Sequence, residues 1–198
     1  MQQAGADINL ADSSRGSTPI LTASFADALP KVLFCVENGA DLNKARVPDG
    51  AMPLIVACLG NHLSVAQYLV KKGANVDQCD KNGRTPLIWS CQKGHQEVVK
   101  LLLASGADVN QDNNNGVTPL MMSSLEGHQE VVKLLLANGA DVNQATNKGT
   151  TPLFMSSQEG HREVVKLLLA SGADVYQATN KGTTPLFMSS HDGHAEVV

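Results

Sequence analysis

Histidine is the residue type in this chain whose spacing first suggests chemistry. His62, His95, His128, His161 and His194 fall 33 residues apart, and Glu97, Glu130, Glu163 and Glu196 each follow one of them by two positions. Imidazole is the commonest metal-ligating side chain, and His-x-Glu is part of the zinc deaminase signature. That signature also requires Pro-Cys-x-x-Cys, and a zinc protease helix requires His-Glu-x-x-His. Neither occurs in the chain. Geometry points the same way. Ligands of one zinc lie within ~2.0–2.1 Å of the ion, whereas packed helices stand ~8–10 Å apart. Histidines related by translation through one repeat cannot converge on one ion, so no metal site is expected. Serine is the second candidate, in the pairs Ser123-Ser124, Ser156-Ser157 and Ser189-Ser190. No Gly-x-Ser-x-Gly, phosphate-binding loop or Gly-x-Gly-x-x-Gly accompanies them. No catalytic residue and no cofactor is expected, and the chain is read as non-enzymatic.

The elements that must position these residues repeat with the same step. Thr85-Pro86-Leu87 returns at Thr118-Pro119-Leu120, Thr151-Pro152-Leu153 and Thr184-Pro185-Leu186. Gly94-His95 returns at Gly127-His128, Gly160-His161 and Gly193-His194, and Gly106-Ala107-Asp108 at Gly139-Ala140-Asp141 and Gly172-Ala173-Asp174. A fixed period of this size indicates a solenoid. Thr85 suits an N-cap, and Pro86 suits the first helical position, where its missing N–H costs little. The first helix is predicted over about 86–93, with Gly94 ending it at positive φ. Val98, Leu101 and Leu102 fall at i, i+3, i+4, widened by Val99 and Leu103, and predict a second helix over about 96–105. Gly106 stops it, and a polar turn leads to the next Thr-Pro-Leu. Two short helices cannot bury this apolar surface alone, so each unit must stack on its neighbours.

The pattern G-x-T-P-L, G-H-x-x-V-V-x-L-L-L, G-A-D-V-N at this step resembles the ankyrin repeat over nearly the whole chain. The resemblance implies an all-α ankyrin-repeat solenoid of stacked helix-turn-helix units with β-hairpin-like turns. It also implies a role in binding other proteins. It assigns the recurrent histidine to packing and hydrogen bonding at the start of the second helix. The family usually has Ala-Ala at the serine pairs, where small residues let helices approach. Its Thr-Pro-Leu-His is altered here: Ile55, Ile88, Met121, Phe154 and Phe187 hold the His position, so a polar contact of the first helix is lost. Phe154 and Phe187 are expected as core or groove wall, and Trp89 as core.

One ankyrin-repeat domain is expected over 1–198. Residues 1–17 close a preceding repeat and turn, repeats start near 18, 52, 85, 118 and 151, and 184–198 form a partial repeat. Gly5-Ala6-Asp7-Ile8-Asn9 matches Gly106 to Asn110, so Met1 falls within an otherwise absent second helix. The first full unit is the most degenerate: Asp27-Ala28 replaces Gly-His, and Pro30 sits in the tolerant first turn of its second helix. In the second unit Met52 lacks a capping oxygen, and Asn61 stands for glycine. The turn before it, Lys44 to Ala51, carries an extra residue, which loops accept. The fifth and sixth units are near-duplicates, differing at Gln158-Glu159/His191-Asp192, Arg162/Ala195 and Asn143/Tyr176. Both ends fall within repeats, as expected for a piece of a longer array.

Composition suits an intracellular scaffold. The 198 residues carry a net charge of −4, which gives no global attraction to nucleic acid or anionic membrane. No apolar run approaches the ~20 residues that span a bilayer, and MQQAGADINL lacks the regions of a signal peptide. Cys35 falls in a core slot, Cys58 and Cys91 share a small-residue slot, and Cys79 lies in a turn. Without paired spacing or a glycosylation sequon, reduced structural thiols are expected, in the cytoplasm with the nucleus as the other compartment.

Family partner-facing positions, carried over residue by residue, are Lys81, Asn82, Arg84, Gln92 and Lys93; Asn114, Asn115, Val117, Leu125 and Glu126; Asn147, Lys148, Thr150, Gln158 and Glu159; and Asn180, Lys181, Thr183, His191 and Asp192. They imply one elongated concave surface, basic toward the third unit and more acidic later, with Val117 and Leu125 as apolar contacts. Asn110 and Asn143 match the turn asparagine recognised by asparaginyl hydroxylase in similar repeats, with Leu102 and Leu135 upstream; support of the turn is the other role for them. The expectation is a monomer that takes a protein partner, with no nucleic acid and no membrane insertion. The alternative is a regulatory or targeting array of a larger enzyme or channel.

Overall fold

A computed structural model of the chain describes residues 7–191. Asp192, His194, Glu196 and Val197-Val198, like Met1 and Gly5-Ala6, lie outside the described residues. Eleven helices and no strand occur among the described residues, grouped in two compact units, Met1–Pro86 and Leu87–Val198.

The first unit contains α1 (Pro19–Phe25), α2 (Leu29–Glu37), α3 (Pro53–Leu59) and α4 (Leu63–Lys71). α1 packs on α2 and α3, α3 packs on α4, and α2 meets α4. The second unit contains α5 (Pro86–Lys93, whose first residue closes the first unit), α6 (Gln96–Ala104), α7 (Pro119–Leu125), α8 (Gln129–Ala137), α9 (Pro152–Gln158), α10 (Arg162–Ala170) and α11 (Pro185–His191). α7 packs on α8 and α9, α9 on α10 and α11, and α8 on α6 and α10. In both units first helices stack on first helices and second on second.

Local chemistry explains why each helix starts and stops where it does. Thr18, Thr118, Thr151 and Thr184 accept, through Oγ1, the N–H three residues on. That satisfies a donor the helix itself cannot. Met52 heads α3 without a side-chain cap bond, as its side chain dictates. Gly94, Gly127 and Gly160 take φ of 69°, 72° and 73° after the first helices. Asp27 and Asn61 are forced to 51° and 58° at the matching junctions.

Within each unit the core consists of layers of Leu, Val and Ile, one supplied by each repeat. Leu69, Leu102, Leu135 and Leu168, at equivalent positions of second helices, are all fully buried, as are Val65, Val98 and Val132. Cys35 takes the leucine slot in α2, and Cys58 and Cys91 are fully buried. Desolvation pushes the Cys91 thiol well above its ordinary range. Cys79 is exposed in its turn.

Two expected core positions come out differently. Trp89 is only half-buried, because its slot on the first helix borders the surface: its equivalents Met122 and Met155 are half-buried too. Phe154 is buried, yet Phe187 is 59% exposed and stacks on His191 with ring centroids 6.1 Å apart. α9 carries α11 against it, whereas α11 is the last described helix.

Candidate protein-binding surface

The recurrent histidines are structural ties. Nε2–H of His62 donates to the Phe25 carbonyl at 3.1 Å, that of His128 to Gln92 at 3.1 Å, and that of His161 to Leu125 at 2.9 Å. A carbonyl can only accept, which fixes the proton on Nε2. Each ring therefore satisfies an orphan carbonyl at the end of the previous repeat's first helix. The glycine there has a second duty besides its positive φ. A Cβ on Gly94 would stand 2.8 Å from the His128 ring, and one on Gly127 2.7 Å from His161. The first member of each of two serine pairs is committed: the Ser123 and Ser156 hydroxyls, fully buried, donate to the Leu120 and Leu153 carbonyls of their own helices at 3.1 Å. The Ser124 hydroxyl beside the first is buried without a hydrogen-bond partner. In the altered Thr-Pro-Leu-His motif, Met121 Sδ stands 3.5 Å from the Thr118 N–H, a weak replacement for the missing imidazole.

Turns are held by a second set of repeated bonds. Asn113 Oδ1 accepts the N–H of Asn115 and Val117, and the Thr146 hydroxyl accepts those of Lys148 and Thr150. Adjacent turns are laced together: Asn147 N–H donates to Asn115 and its amide to Asn114, while Asn180 donates likewise to Lys148 and Asn147. At the other loop, the Asn110 amide donates to Gly139 while its Oδ1 accepts the Asp141 N–H at 2.8 Å. Asn143 repeats this with Gly172 and Asp174. Both faces of each amide are thus used to tie one loop to the next.

The positions read from the sequence as partner-facing are exposed or half-buried wherever they fall among the described residues. In the first unit Lys81 and Asn82 are exposed and Arg84 half-buried. In the second, Lys93, Asn114, Asn115, Glu126, Asn147, Lys148, Glu159, Asn180, Lys181 and His191 are exposed. Gln92, Val117, Leu125, Thr150, Gln158 and Thr183 are half-buried. Asp192 lies outside the described residues. The turn asparagines Asn147 and Asn180 serve the lacing, so only part of their polarity is open to a partner. Gln92 Oε1 is enclosed without a hydrogen-bond partner.

A family model of ankyrin repeats in three copies matches residues 1–80, 20–113, 54–146, 106–179 and 141–198. The chain belongs to the ankyrin-repeat family. No curated protein matches it. Ankyrin repeats are in general protein–protein interaction modules and typically non-enzymatic. No described helix is long and apolar enough to cross a membrane. Among the described residues no three His, Cys, Asp or Glu side chains gather as a metal site would need.

Carrying over family positions from the third repeat onward passed by the first two repeats of this ankyrin-repeat chain. Phe25 occupies the slot of Gln92 and Leu125, at the end of α1, and is 69% exposed. Arg15, in the slot of Asn82, is exposed beside it. Tyr176, which replaces the tying asparagine of the previous repeat, is 84% exposed. The slot alignment that assigned Leu125 would have found Phe25 as well.

Proposed function

We propose that this chain is a non-enzymatic protein-binding module whose turns and first-helix ends read the partner. Rigid display is the mechanism: the framework is fixed by caps, histidine ties and laced turns, so variable side chains are presented with little ordering cost on binding. One observation supports it above the rest. In the second unit the recurring Thr caps, the His128 and His161 ties and the layer Leu102, Leu135 and Leu168 are buried or bonded within the framework, whereas Lys93, Glu126 and Glu159, equivalent positions of differing chemistry, all face solvent. Val117 and Leu125 supply the apolar part of that strip, and the first unit by itself presents the basic Lys81 and Arg84 with Asn82 in its last turn. On this reading the chain acts as an intracellular monomer with a protein partner and uses neither nucleic acid nor a cofactor.

Site-specific photo-crosslinking tests it. A benzoylphenylalanine placed at Lys93, Glu126 or Glu159 is expected to trap a partner in cell lysate. The same group at Lys100, Lys133 or Lys166, on the second helices, is expected not to. Adducts confined to the second-helix positions would overturn the assignment.

A further inference from the structure

The first unit holds a groove of about 410 Å³ between the turn at 12–17, the helix α1, and Arg46 with Val56 on the far side. Leu21 and Val56 form its apolar floor, packed in one cluster with Ala51. Phe25 lines it too, its ring 69% exposed. An aromatic ring beside a pocket is the kind of group that contributes most when a partner covers it.

The polar groups around this ring offer donors. Asp12 also lines the groove, but its carboxylate is turned to its own loop. Oδ1 accepts the Ser14 hydroxyl at 2.7 Å and the N–H groups of Ser14 and Arg15, and Oδ2 accepts the Ser17 N–H. Those bonds, the Ser14 hydroxyl first, hold the acid at about 2. Arg46 forks onto Asp49 through Nε and Nη2, leaving Nη1 outside the fork. The Arg15 guanidinium has no ion pair or side-chain hydrogen bond among the described residues. A guanidinium donates only, and its fork matches a carboxylate.

We propose that this groove binds a protein segment carrying a bulky apolar side chain close to a carboxylate, the apolar group against Phe25 and Leu21 and the carboxylate on Arg15. The proposal rests on the protein-binding reading above and gives it a partner chemistry. The apolar floor requires a side chain the size of Leu or Phe, and Arg15 sets the sign of the neighbouring charge. Arg46, already neutralised by Asp49, adds a directional donor with little net field.

The test uses the full chain, immobilised, and a phage-displayed library of random twelve-residue peptides as the probe. Selected peptides are expected to place Asp or Glu within a few residues of Leu, Phe or Trp. Fluorescence anisotropy with the synthetic consensus peptide should give a Kd that rises about tenfold in Phe25→Ala. It should rise severalfold in Arg15→Glu and with added salt, while circular dichroism stays unchanged. Neutral or basic consensus peptides, no enrichment, or equal binding by both variants would overturn the proposal. Peptides released by Leu125→Ala and not by Phe25→Ala would overturn the groove and leave the general reading standing.

Discussion

The junctions after α1 and α7 solve one problem with different residues. Both chains turn through a left-handed residue into a second helix, Gly127 at φ 72° after α7 and Asp27 at φ 51° after α1. Glycine adopts that region without penalty, while a Cβ there costs ~1–2 kcal/mol. The core slot filled by Leu135 in α8 holds the smaller Cys35 in α2. In the first unit α3 lacks the cap that Thr118 gives α7. The same backbone is built in both places, from better parts in the second unit. The difference teaches that the repeat backbone tolerates several weak local choices, because packing against neighbouring repeats outweighs local propensity. The poorer repeat also exposes an aromatic ring, Phe25, at the end of its first helix.

The largest effect belongs to the regular unit's core. Leu102→Ala, at a fully buried position, is expected to cost ~2–5 kcal/mol in chemical denaturation. A change below ~1 kcal/mol would mean that the layer collapses around the deletion and that burial here does not carry the stack. Next comes the glycine. Gly127→Ala meets both the positive φ and the His161 ring at 2.7 Å, so it is expected to cost ~2–3 kcal/mol, more than the φ alone. In a His161→Ala background the same substitution should lose its steric part and cost only ~1 kcal/mol beyond the loss of the histidine tie. If the double variant is no better than the sum of the singles, the ring is not what the Cβ strikes.

Most of this contrast could be read from the chain itself. Thr18, Thr118 and Thr151 cap as their place before proline predicts, and Asp27 and Asn61 take positive φ because they stand where Gly94 and Gly127 stand. Period and identity suffice for such residues, since each answers to its own repeat. Trp89 and Phe187 were less legible: the slot of Trp89 borders the surface in each repeat, which its apolar character hides, and the cover of Phe187 depends on a neighbouring layer that its own repeat does not encode. The lacing by Asn147 and Asn180 escaped for a similar reason. An exposed asparagine in a variable slot looks like a contact residue until the carbonyl it bonds, one repeat away, is placed beside it. Phe25 was legible by slot and missed by the degeneracy around it.

A smaller change sharpens the comparison from the weak side. Asp27→Gly removes the strained Cβ and is expected to raise stability by ~1 kcal/mol. The gain is partly offset, because the Asp27 carboxylate lies 3.7 Å from His62 Nδ1 and that contact is lost. Thermal denaturation checks the balance, and a loss of stability would mean that the aspartate does more than fill a turn.

The smallest expected effect concerns how the turns are tied. In the second unit Asn113, Thr146 and Thr179 accept the turn N–H groups with side chains that do not titrate. In the first unit Asp12 and Asp49 do so with carboxylates. The Arg46 guanidinium holds Asp49 at about 2, below the ordinary ~3.9 of an aspartate. A carboxyl lowered on folding adds stability that is complete above its unfolded value and is lost as pH falls through the folded one. The window is therefore about pH 4 down to about 2. Because the Asp49 side chain is 48% exposed, solvent screening keeps the contribution under ~1 kcal/mol. Asp49→Asn should lower the melting temperature slightly at pH 7 and less near pH 2, where half of the wild-type carboxyl is protonated. Hydrogen exchange followed across that range should show amides of the turn at 46–51 losing protection in the wild type while those at 146–150 keep theirs. Equal loss in both turns would mean that acid acts through the charge of the whole chain, and the chemical contrast between the two sets of turns would carry no consequence for stability.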